Sequence, residues 1–261
     1  MNNILDKIIK NKKIEVDKKK EIFSLNFIKS QPLFKRNTIS LKSKIKSSNT
    51  GIIAEFKRRS PSKKNINSNL SAFNVSKSYE ENGACGMSIL TDNKYFGGSL
   101  EDLIQARNNS NLPLLRKEFI IDKYQIYESK AFGADIILLI ASILTKSEII
   151  EFSLIAKSLD LEILIEVHNE NEIHKSLNSN IDFVGINNRD LKTFNVNLDR
   201  SKILSSKIPN NYIKISESGI KSIEDIKELK SYGFKGFLIG ENFMKSNSPG
   251  IELKNFIKNL E

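Results

Sequence analysis

The chain has 261 residues, of which 39% are apolar, so it is long enough for one domain with a sizeable core. Its single cysteine, Cys85, excludes an internal disulfide framework. The longest apolar run, residues 136–141, is far shorter than the roughly 20 residues of a membrane-spanning helix. The first residues contain neither the apolar segment nor the cleavage site of a signal peptide. We therefore expect a cytoplasmic protein that does not enter a membrane.

The net charge of +10 raises the possibility of nucleic-acid binding. Residues 1–50 account for +9 of this charge, and the rest of the chain is nearly neutral at +1. Because nucleic-acid-binding domains need a basic patch with interleaved aromatic residues, the neutral remainder argues against that class. The basic segment is equally compatible with a general abundance of Lys, Asn and Ile along the whole chain.

Residues 1–50 are predicted to form helices that pack against the remainder of the protein. Ile4, Leu5, Ile8 and Ile9 recur at helical spacing, and a second amphipathic stretch covers residues 22–28. A solvated tail is the alternative. On the helical interpretation, the lysines occupy the solvent-exposed face and attract anionic ligands, foremost among them Lys12, Lys13, Lys18 and Lys19.

From residue 51 onward, short β-rich runs alternate with helix-like stretches. Eight such runs occur, at residues 51–56, 86–90, 112–116, 135–141, 161–167, 183–187, 212–216 and 236–240. Regular alternation indicates parallel strands joined by crossover helices, and eight repeats favour a closed (β/α)8 barrel, or TIM barrel. Ser99, Thr145 and Ser222 are predicted helix N-caps. Because no linker interrupts the pattern, we expect residues 1–261 to form a single domain, with residues 1–50 as a basic helical extension.

Charged and amide side chains follow several predicted strands, at the end of the barrel where such enzymes have their active sites. Alternation along a strand places residues two apart on the same side. The candidates are Glu55 and Lys57 after the first strand, Lys117 after the third, Glu166 after the fifth, and Asn187 and Arg189 after the sixth. Lysines and glutamates that meet there suit general acid–base chemistry on an anion, although structural ion pairs are the alternative for any single residue.

The segments after the seventh and eighth strands are candidates for phosphate binding, because barrels often bind phosphate at these two loops. They contain Ser218 and Gly219, and Gly240 and Glu241. Glycine allows backbone N–H groups to approach phosphate oxygens closely, although both glycines could simply shape turns. No ligand spacing links His168, His174 and Cys85, and neither a dinucleotide fingerprint nor a Walker loop is present. These residues therefore give no sign of a metal cluster or of a nucleotide-binding loop.

Six blocks at the predicted strand ends form a longer pattern. They are IAEFKRRSPS at 53–62, LTDNKYFGGS at 90–99, LRKEFIID at 115–122, EVH at 166–168, GINNRDL at 185–191 and SESGI at 216–220. In this order, the blocks resemble the signature segments of the indole-3-glycerol-phosphate synthase family. The resemblance implies a barrel with leading helices. It also implies ring closure of 1-(2-carboxyphenylamino)-1-deoxyribulose 5-phosphate with loss of CO2 and water, in tryptophan biosynthesis. Neither a cofactor nor a metal is implied.

The resemblance also implies roles for individual residues. Lys117 would be the general acid on the ketone oxygen, Glu166 would handle protons in the dehydration, and Lys57 would engage the carboxylate. Glu55 and Asn187 would orient lysines and hydroxyls, and Arg189 would support the charged centre. The phosphate would lie among Ser60, Ser218, Gly219, Gly240 and Glu241. An apolar wall would hold the aromatic ring, with Pro61, Phe96, Phe119, Leu138, Leu191 and Leu238 as candidates.

Two positions depart from the family pattern. Asn65 stands where a glycine is usual, and Glu241 stands where serine is frequent, so we expect the Glu241 carboxylate to point away from the phosphate. The nearest rival is another phosphate-binding barrel, such as phosphoribosylanthranilate isomerase, which is not expected to combine these blocks. A small anionic substrate is the only expected partner, without nucleic acid or membrane, and a monomer is favoured over an oligomer.

Overall fold

Eight parallel strands form a closed barrel in the computed structural model, which describes residues 4–190, 193–258 and 260. Each strand pairs with the next one in sequence, and the last pairs with the first. The strands are β1 (Ile52–Phe56), β2 (Gly86–Leu90), β3 (Leu114–Lys117), β4 (Ile136–Ile140), β5 (Glu162–Val167), β6 (Phe183–Asn187), β7 (Ile213–Glu217) and β8 (Phe234–Ile239). The predicted fold class, a TIM barrel with helices around it, is confirmed.

Helices surround the barrel and precede it. They are α1 (Ile4–Ile22), α2 (Leu25–Lys29), α3 (Leu41–Ser47), α4 (Ala72–Glu81), α5 (Asn93–Phe96), α6 (Leu100–Asn109), α7 (Lys123–Ala131), α8 (Lys146–Ser158), α9 (Glu170–Ser176), α10 (Asp199–Ser205), α11 (Ile223–Ser231), α12 (Glu241–Met244) and α13 (Pro249–Lys258). Among the described residues, no helix has the length and apolarity needed to cross a bilayer.

The strands are buried on both faces, which explains their nearly continuous apolar sequences. Ile53, Leu115, Leu164 and Ile215 belong to one apolar cluster that fills the inside of the barrel. The other face packs against the helices in a larger apolar cluster. The predicted strands lie within about two residues of the observed ones. The eighth strand begins earlier than predicted, at Phe234, because this fully buried side chain belongs to the outer cluster.

The predicted helix starts are correct at three positions. Thr145 and Ser222 form reciprocal capping boxes with Glu148 and Asp225. Ser99 caps α6 through the backbone N–H of Asp102.

The extension places one face of α1 against the barrel. Ile8 and Val16 on this face are buried. The second amphipathic stretch differs from the prediction, because only Ile28 is buried in α2. Ile22, Phe23, Leu25 and Phe27 remain exposed, and the rings of Phe23 and Phe27 stack on each other at 5.3 Å.

Lys12 lies on the buried face of α1. The prediction that it is one of the exposed lysines that attract anionic ligands is therefore wrong. Its side chain is 1% exposed, and its Nζ lies 3.0 Å from Asp92 and 3.1 Å from Glu118. A third carboxylate, Glu15, lies 2.8 Å away. Burial alone would lower the pKa of Lys12, but the three carboxylates outweigh burial and raise it. A buried cation is tolerated here because its charge is fully matched.

We expect Lys12→Met to loosen α1 from the barrel. The substitution keeps the apolar stem but leaves Asp92 buried without the cation that contacts it, and leaves Glu118 with Arg116 alone at 3.7 Å. Removing one partner of a buried ion pair typically costs about 3–5 kcal/mol. Limited proteolysis and hydrogen exchange should show earlier cleavage and faster exchange in α1, together with a lower Tm. Lys13→Met, at an exposed position of the same helix, is the control. Equal protection of α1 in both variants would contradict this role for Lys12.

Candidate active site

A cavity of about 540 Å³ opens at the carboxyl ends of the strands. Ile4, Leu5 and Ile8 of α1 form part of its lining, so the extension contributes directly to the site. Leu191, predicted for the apolar wall, lies outside the described residues. The structure places the remaining sequence-predicted residues around this one cavity, namely Glu55, Lys57, Ser60, Pro61, Phe96, Lys117, Phe119, Leu138, Glu166, Asn187, Arg189, Ser218, Gly219, Leu238, Gly240 and Glu241.

Lys117, at the end of β3, lies at the centre of the charged part of the cavity. Its Nζ donates to Glu166 Oε2 at 3.0 Å and to Glu217 Oε2. Burial would lower the pKa of Lys117, but the charges of Glu217, Glu166 and Glu55 reverse that effect and raise the pKa. The lysine is therefore held as an ammonium ion that points toward the cavity.

Glu217, the last residue of β7, is a member of this centre that the sequence reasoning missed. The same alternation rule would have identified it, because Ile215 faces the barrel interior and Glu217 follows two residues later. Gly185 on β6 provides its space, since a Cβ atom there would collide with Glu217 Oε1. Burial, aided by Glu166, raises the pKa of Glu217 to about 7, although Lys117 opposes the shift. Glu217 can therefore gain or lose a proton near neutral pH.

Glu55 and Lys57 form the second charged pair, at the end of β1. Lys57 Nζ donates to Glu55 Oε1 at 2.6 Å. Gly240 lies against this pair, and a Cβ atom at Gly240 would be 2.6 Å from Glu55 Oε1 and 2.9 Å from Glu55 Cβ. The missing side chain of Gly240 therefore makes room for a glutamate, a reason that the sequence reasoning did not consider.

Glu166 and Asn187 lie on neighbouring strands beside Lys117. Burial would raise the pKa of Glu166, but the charge of Lys117 lowers it, and a hydrogen bond from Asn187 contributes. Glu166 is therefore held as a carboxylate next to the ammonium group. Asn187 Oδ1 accepts a hydrogen bond from the backbone N–H of Arg189 at 3.0 Å, and the Arg189 guanidinium donates to the carbonyl of Phe194.

The loops after β7 and β8 form the opposite side of the cavity. Ser218 and Gly219 have positive φ angles of 66° and 86°. A non-glycine residue in this region is uncommon and is found preferentially at functional sites. At Gly219 an added Cβ would also collide with Val196.

Glu241 begins α12, and its charge is matched by lysines. Its Oε1 lies 3.0 Å from Lys63 Nζ and 3.1 Å from Lys245 Nζ. Burial would raise the pKa of Glu241, but the two lysines lower it to about 2. Lys245 and Lys221 also line the cavity, and sequence reasoning missed both cations. Asn65, the other departure from the family pattern, has no positive φ angle, so this loop does not depend on glycine.

An apolar wall completes the cavity. The rings of Phe96 and Phe119 lie 6.1 Å apart, and Leu138 and Leu238 approach from inside the barrel. The described residues contain no group of three or more His, Cys, Asp or Glu placed to hold a metal ion. The arrangement offers ammonium groups and carboxylates at one end, small loop residues at the other, and an apolar surface between them.

Comparison with known proteins identifies relatives along almost the whole chain. A family model described as indole-3-glycerol phosphate synthase matches residues 5–260. A protein of that name from Bacteroides thetaiotaomicron is 44% identical over 261 residues, covering 100% of both chains. Another from Alkaliphilus metalliredigens is 42% identical and covers 98% of this chain and 99% of the relative.

Solved structures show the same architecture at low sequence identity. Thiamine phosphate pyrophosphorylase from Pyrococcus furiosus superposes with a TM-score of 0.61 at 13% identity, covering 85% of this chain and 98% of that one. At this identity the similarity supports the fold alone.

We expect Glu217→Gln to become increasingly stabilising, relative to the parent protein, as the pH rises from about 4.5 to 7. The pKa of Glu217 is raised in the folded protein. Its favourable contribution to the free energy of unfolding is therefore complete below pH 4.5 and is lost as the pH rises through about 7. Glutamine does not titrate and escapes this loss. The measurement is the Tm difference between variant and parent across the pH range.

Glu170→Gln, at an exposed position on α9, is the control and should show no such rise. A Tm difference for Glu217→Gln that stays constant between pH 4.5 and 7 would contradict the raised pKa.

Proposed function

The chain belongs to the indole-3-glycerol phosphate synthase family, and on this basis we propose that it is a carboxy-lyase of tryptophan biosynthesis. Its substrate on this proposal is 1-(2-carboxyphenylamino)-1-deoxyribulose 5-phosphate. The reaction closes the indole ring with loss of CO2 and water and yields indole-3-glycerol phosphate. The observation that best supports it is the single cavity that combines Lys117 and its carboxylates with an apolar wall and the β7 and β8 loops.

The cavity matches the chemistry of this substrate. The substrate is an anion at both ends, with an apolar aromatic ring between them. Ring closure requires that the ring carbon and the ketone carbon be held close together, which a rigid barrel with fixed loops favours. Lysines near both ends of the cavity match the two anionic groups, and Phe96 and Phe119 offer a surface for the ring.

Lys117 is the proposed general acid. The ketone oxygen gains negative charge as the carbon–carbon bond forms, and a buried ammonium group can stabilise that charge and donate a proton to it. Glu217 and Glu166 keep Lys117 charged and direct its Nζ. Glu166 is also the proposed proton acceptor in the dehydration.

Lys57 is the proposed contact for the carboxylate that leaves as CO2. Glu55 fixes the Lys57 ammonium group through the 2.6 Å contact. Asn187 and Arg189, joined through the backbone of the loop after β6, are proposed to orient substrate hydroxyls and to support the charged centre.

The phosphate is proposed to bind between the loops after β7 and β8 and near Ser60. Ser218 and Gly219 line one side, and Gly240 lines the other. Lys221 and Lys245 add positive charge nearby, and the lysine pairs of Glu241 offset its repulsion of an anion. Pro61, Leu138 and Leu238 are proposed to hold the ring with the two phenylalanines, and Leu191 stays a sequence-based candidate for this wall.

The wider organisation is likewise a proposal. We propose one domain over residues 1–261 that acts as a cytoplasmic monomer, with residues 1–50 as part of the catalytic unit. The lining contributed by Ile4, Leu5 and Ile8 supports that role for the extension. No cofactor and no nucleic acid are expected to take part.

The proposed activity is tested by adding the carboxyphenylamino-deoxyribulose phosphate to the purified protein and following indole fluorescence. We expect the fluorescence to rise with time and the product to be indole-3-glycerol phosphate by mass. No increase over a broad range of pH and salt would refute the proposal.

Lys117→Met should lower kcat by about 10²–10⁴, the usual contribution of a general acid. The apolar stem remains, so product binding should weaken only modestly. Lys123→Met is a matched control, because Lys123 is exposed on the helix that follows the same strand. Near-parental kcat in the Lys117 variant would rule out the assigned role.

Crystals grown with sulfate or phosphate should contain an anion within hydrogen-bond distance of the backbone N–H groups of Gly219 and Gly240. Both residues border the cavity, and small residues allow close approach of the backbone. Inorganic phosphate should also inhibit competitively. An anion bound elsewhere in the cavity, with these two N–H groups unoccupied, would refute the proposed phosphate position.

A further inference from the structure

His168 lies directly beside the charged centre, although none of the roles above includes it. It follows β5 two residues after Glu166, so both side chains point to the same side of the strand. The ring is largely buried, and its Nε2 lies 3.7 Å from Glu166 Oε1. This nitrogen is buried and has no hydrogen-bond partner among the described residues. A buried nitrogen aimed at a proposed proton acceptor requires an explanation.

The other ring nitrogen is fixed by Glu172 in the first turn of α9. His168 Nδ1 lies 3.3 Å from Glu172 Oε2, and the backbone N–H of His168 donates to the same oxygen at 2.8 Å. Asn169 holds the second oxygen of Glu172 at 2.8 Å. Because an ionised carboxylate only accepts hydrogen bonds, Nδ1 must be the donor. The orientation of the ring is thereby set, and Nε2 is the nitrogen left to face Glu166.

Whether Nε2 carries a proton decides whether its contact with Glu166 Oε1 is attractive, since 3.7 Å is an ion-pair distance and too long for a hydrogen bond. If Nε2 carries it, the imidazolium lies between two carboxylates, and Glu166 is ionised. If Nε2 and Glu166 both lack it, a lone pair faces a negative oxygen, which is unfavourable. We propose that His168 is a positioning residue that acts through Glu166: as an imidazolium, it turns its Nε2 proton toward Glu166 Oε1 and holds this carboxylate in place beside Lys117. The inference rests on the proposed function to the extent that Glu166 handles protons there.

The surrounding charges favour the protonated imidazole. Burial lowers the pKa of His168, but the hydrogen bond to Glu172 and the charges of Glu166 and Glu172 raise it above its ordinary value, against a smaller opposing effect of Arg200 on α10. Beyond Glu166 lies Lys117, which holds the other oxygen of that carboxylate. Glu166 is therefore flanked by two cations, the Lys117 ammonium group and the His168 imidazolium.

A purely structural role is the competing explanation, since His168 also helps to fix the start of α9 through Glu172. The two explanations differ in what they predict for the imidazole pKa. A structural histidine depends on Glu172 alone, whereas a histidine coupled to the charged centre also depends on Glu166.

Imidazole NMR tests the coupling without any need for turnover. The chain contains two histidines, so two ring signals are expected, and His174→Gln assigns them. In Glu166→Gln, the pKa of His168 should fall by about one unit or more, the effect of removing an opposite charge at this distance. Glu170→Gln, beside His174 on the surface, should leave the His168 pKa unchanged. An unchanged His168 pKa in Glu166→Gln would overturn the proposal.

The pH dependence of kcat tests the consequence for catalysis. In the parent protein, kcat should fall by about three- to tenfold as the pH rises through the pKa of His168, because a neutral imidazole turns a lone pair toward the Glu166 carboxylate and no longer holds it in position. His168→Gln should lose this inflection, and His174→Gln should keep it. An inflection that persists in His168→Gln, or is absent from the parent, overturns the inference.

The two measurements separate this inference from the proposed activity. If the purified protein lacks synthase activity, the NMR shift in Glu166→Gln still decides whether the two side chains are coupled. If activity is present and the shift is absent, only the role of His168 fails. His168→Asn serves as a second variant if His168→Gln does not fold.

Discussion

The charge of Lys117, buried where β3 ends, is the constraint on which the rest of the site depends. An ammonium group removed from water needs several carboxylates around it, and Glu55, Glu166 and Glu217 provide them from three other strands. The charge of each carboxylate also affects the pKa of the others, and the pKa of Glu217 is raised to about 7. Because they surround one buried charge, Glu166 and Glu217 have different acidities, although both are glutamates. Acid–base chemistry requires such a difference between neighbouring groups.

The same principle explains how the extension is attached. The end of β2 and the segment after β3 carry buried carboxylates, Asp92 and Glu118, and α1 supplies the matching cation. Lys12 therefore binds the extension at the segment that directly follows Lys117. Further along the same helix toward its start, Ile4 and Leu5 reach the cavity. The residue that anchors α1, Glu118, is therefore the neighbour in sequence of Lys117, the central charge of the cavity.

Much of this arrangement could be predicted from the sequence, because it follows from regular alternation. The period of two in the strands correctly placed Glu55, Lys117 and Glu166 around one cavity, and helix N-caps were readable from Ser or Thr followed by Glu or Asp. Lys12 could not be placed in this way. A lysine next to an apolar helical stripe is usually exposed, and only the positions of Asp92 and Glu118 in three dimensions reveal why this one is buried.

Glu217 and His168 were missed for different reasons. Glu217 lies within a motif that suggested phosphate binding, so its position at the end of a strand was overlooked although alternation predicts its direction. His168 was recognised as part of the EVH block and rejected as a metal ligand, but it was given no role. The decisive information is its distance from Glu166 together with the fixed donor role of Nδ1. Hydrogen-bond direction depends on the exact neighbours of a ring, which a sequence pattern does not contain.

Two glycines, Gly185 and Gly240, have an evolutionary consequence beyond the barrel's shape. Each leaves a space that a glutamate side chain fills, Glu217 in one case and Glu55 in the other. Neither glycine has a side chain that could take part in the reaction, yet even alanine at either position would displace a carboxylate of the charged centre. Across a lineage, each glycine and its glutamate should therefore be inherited together.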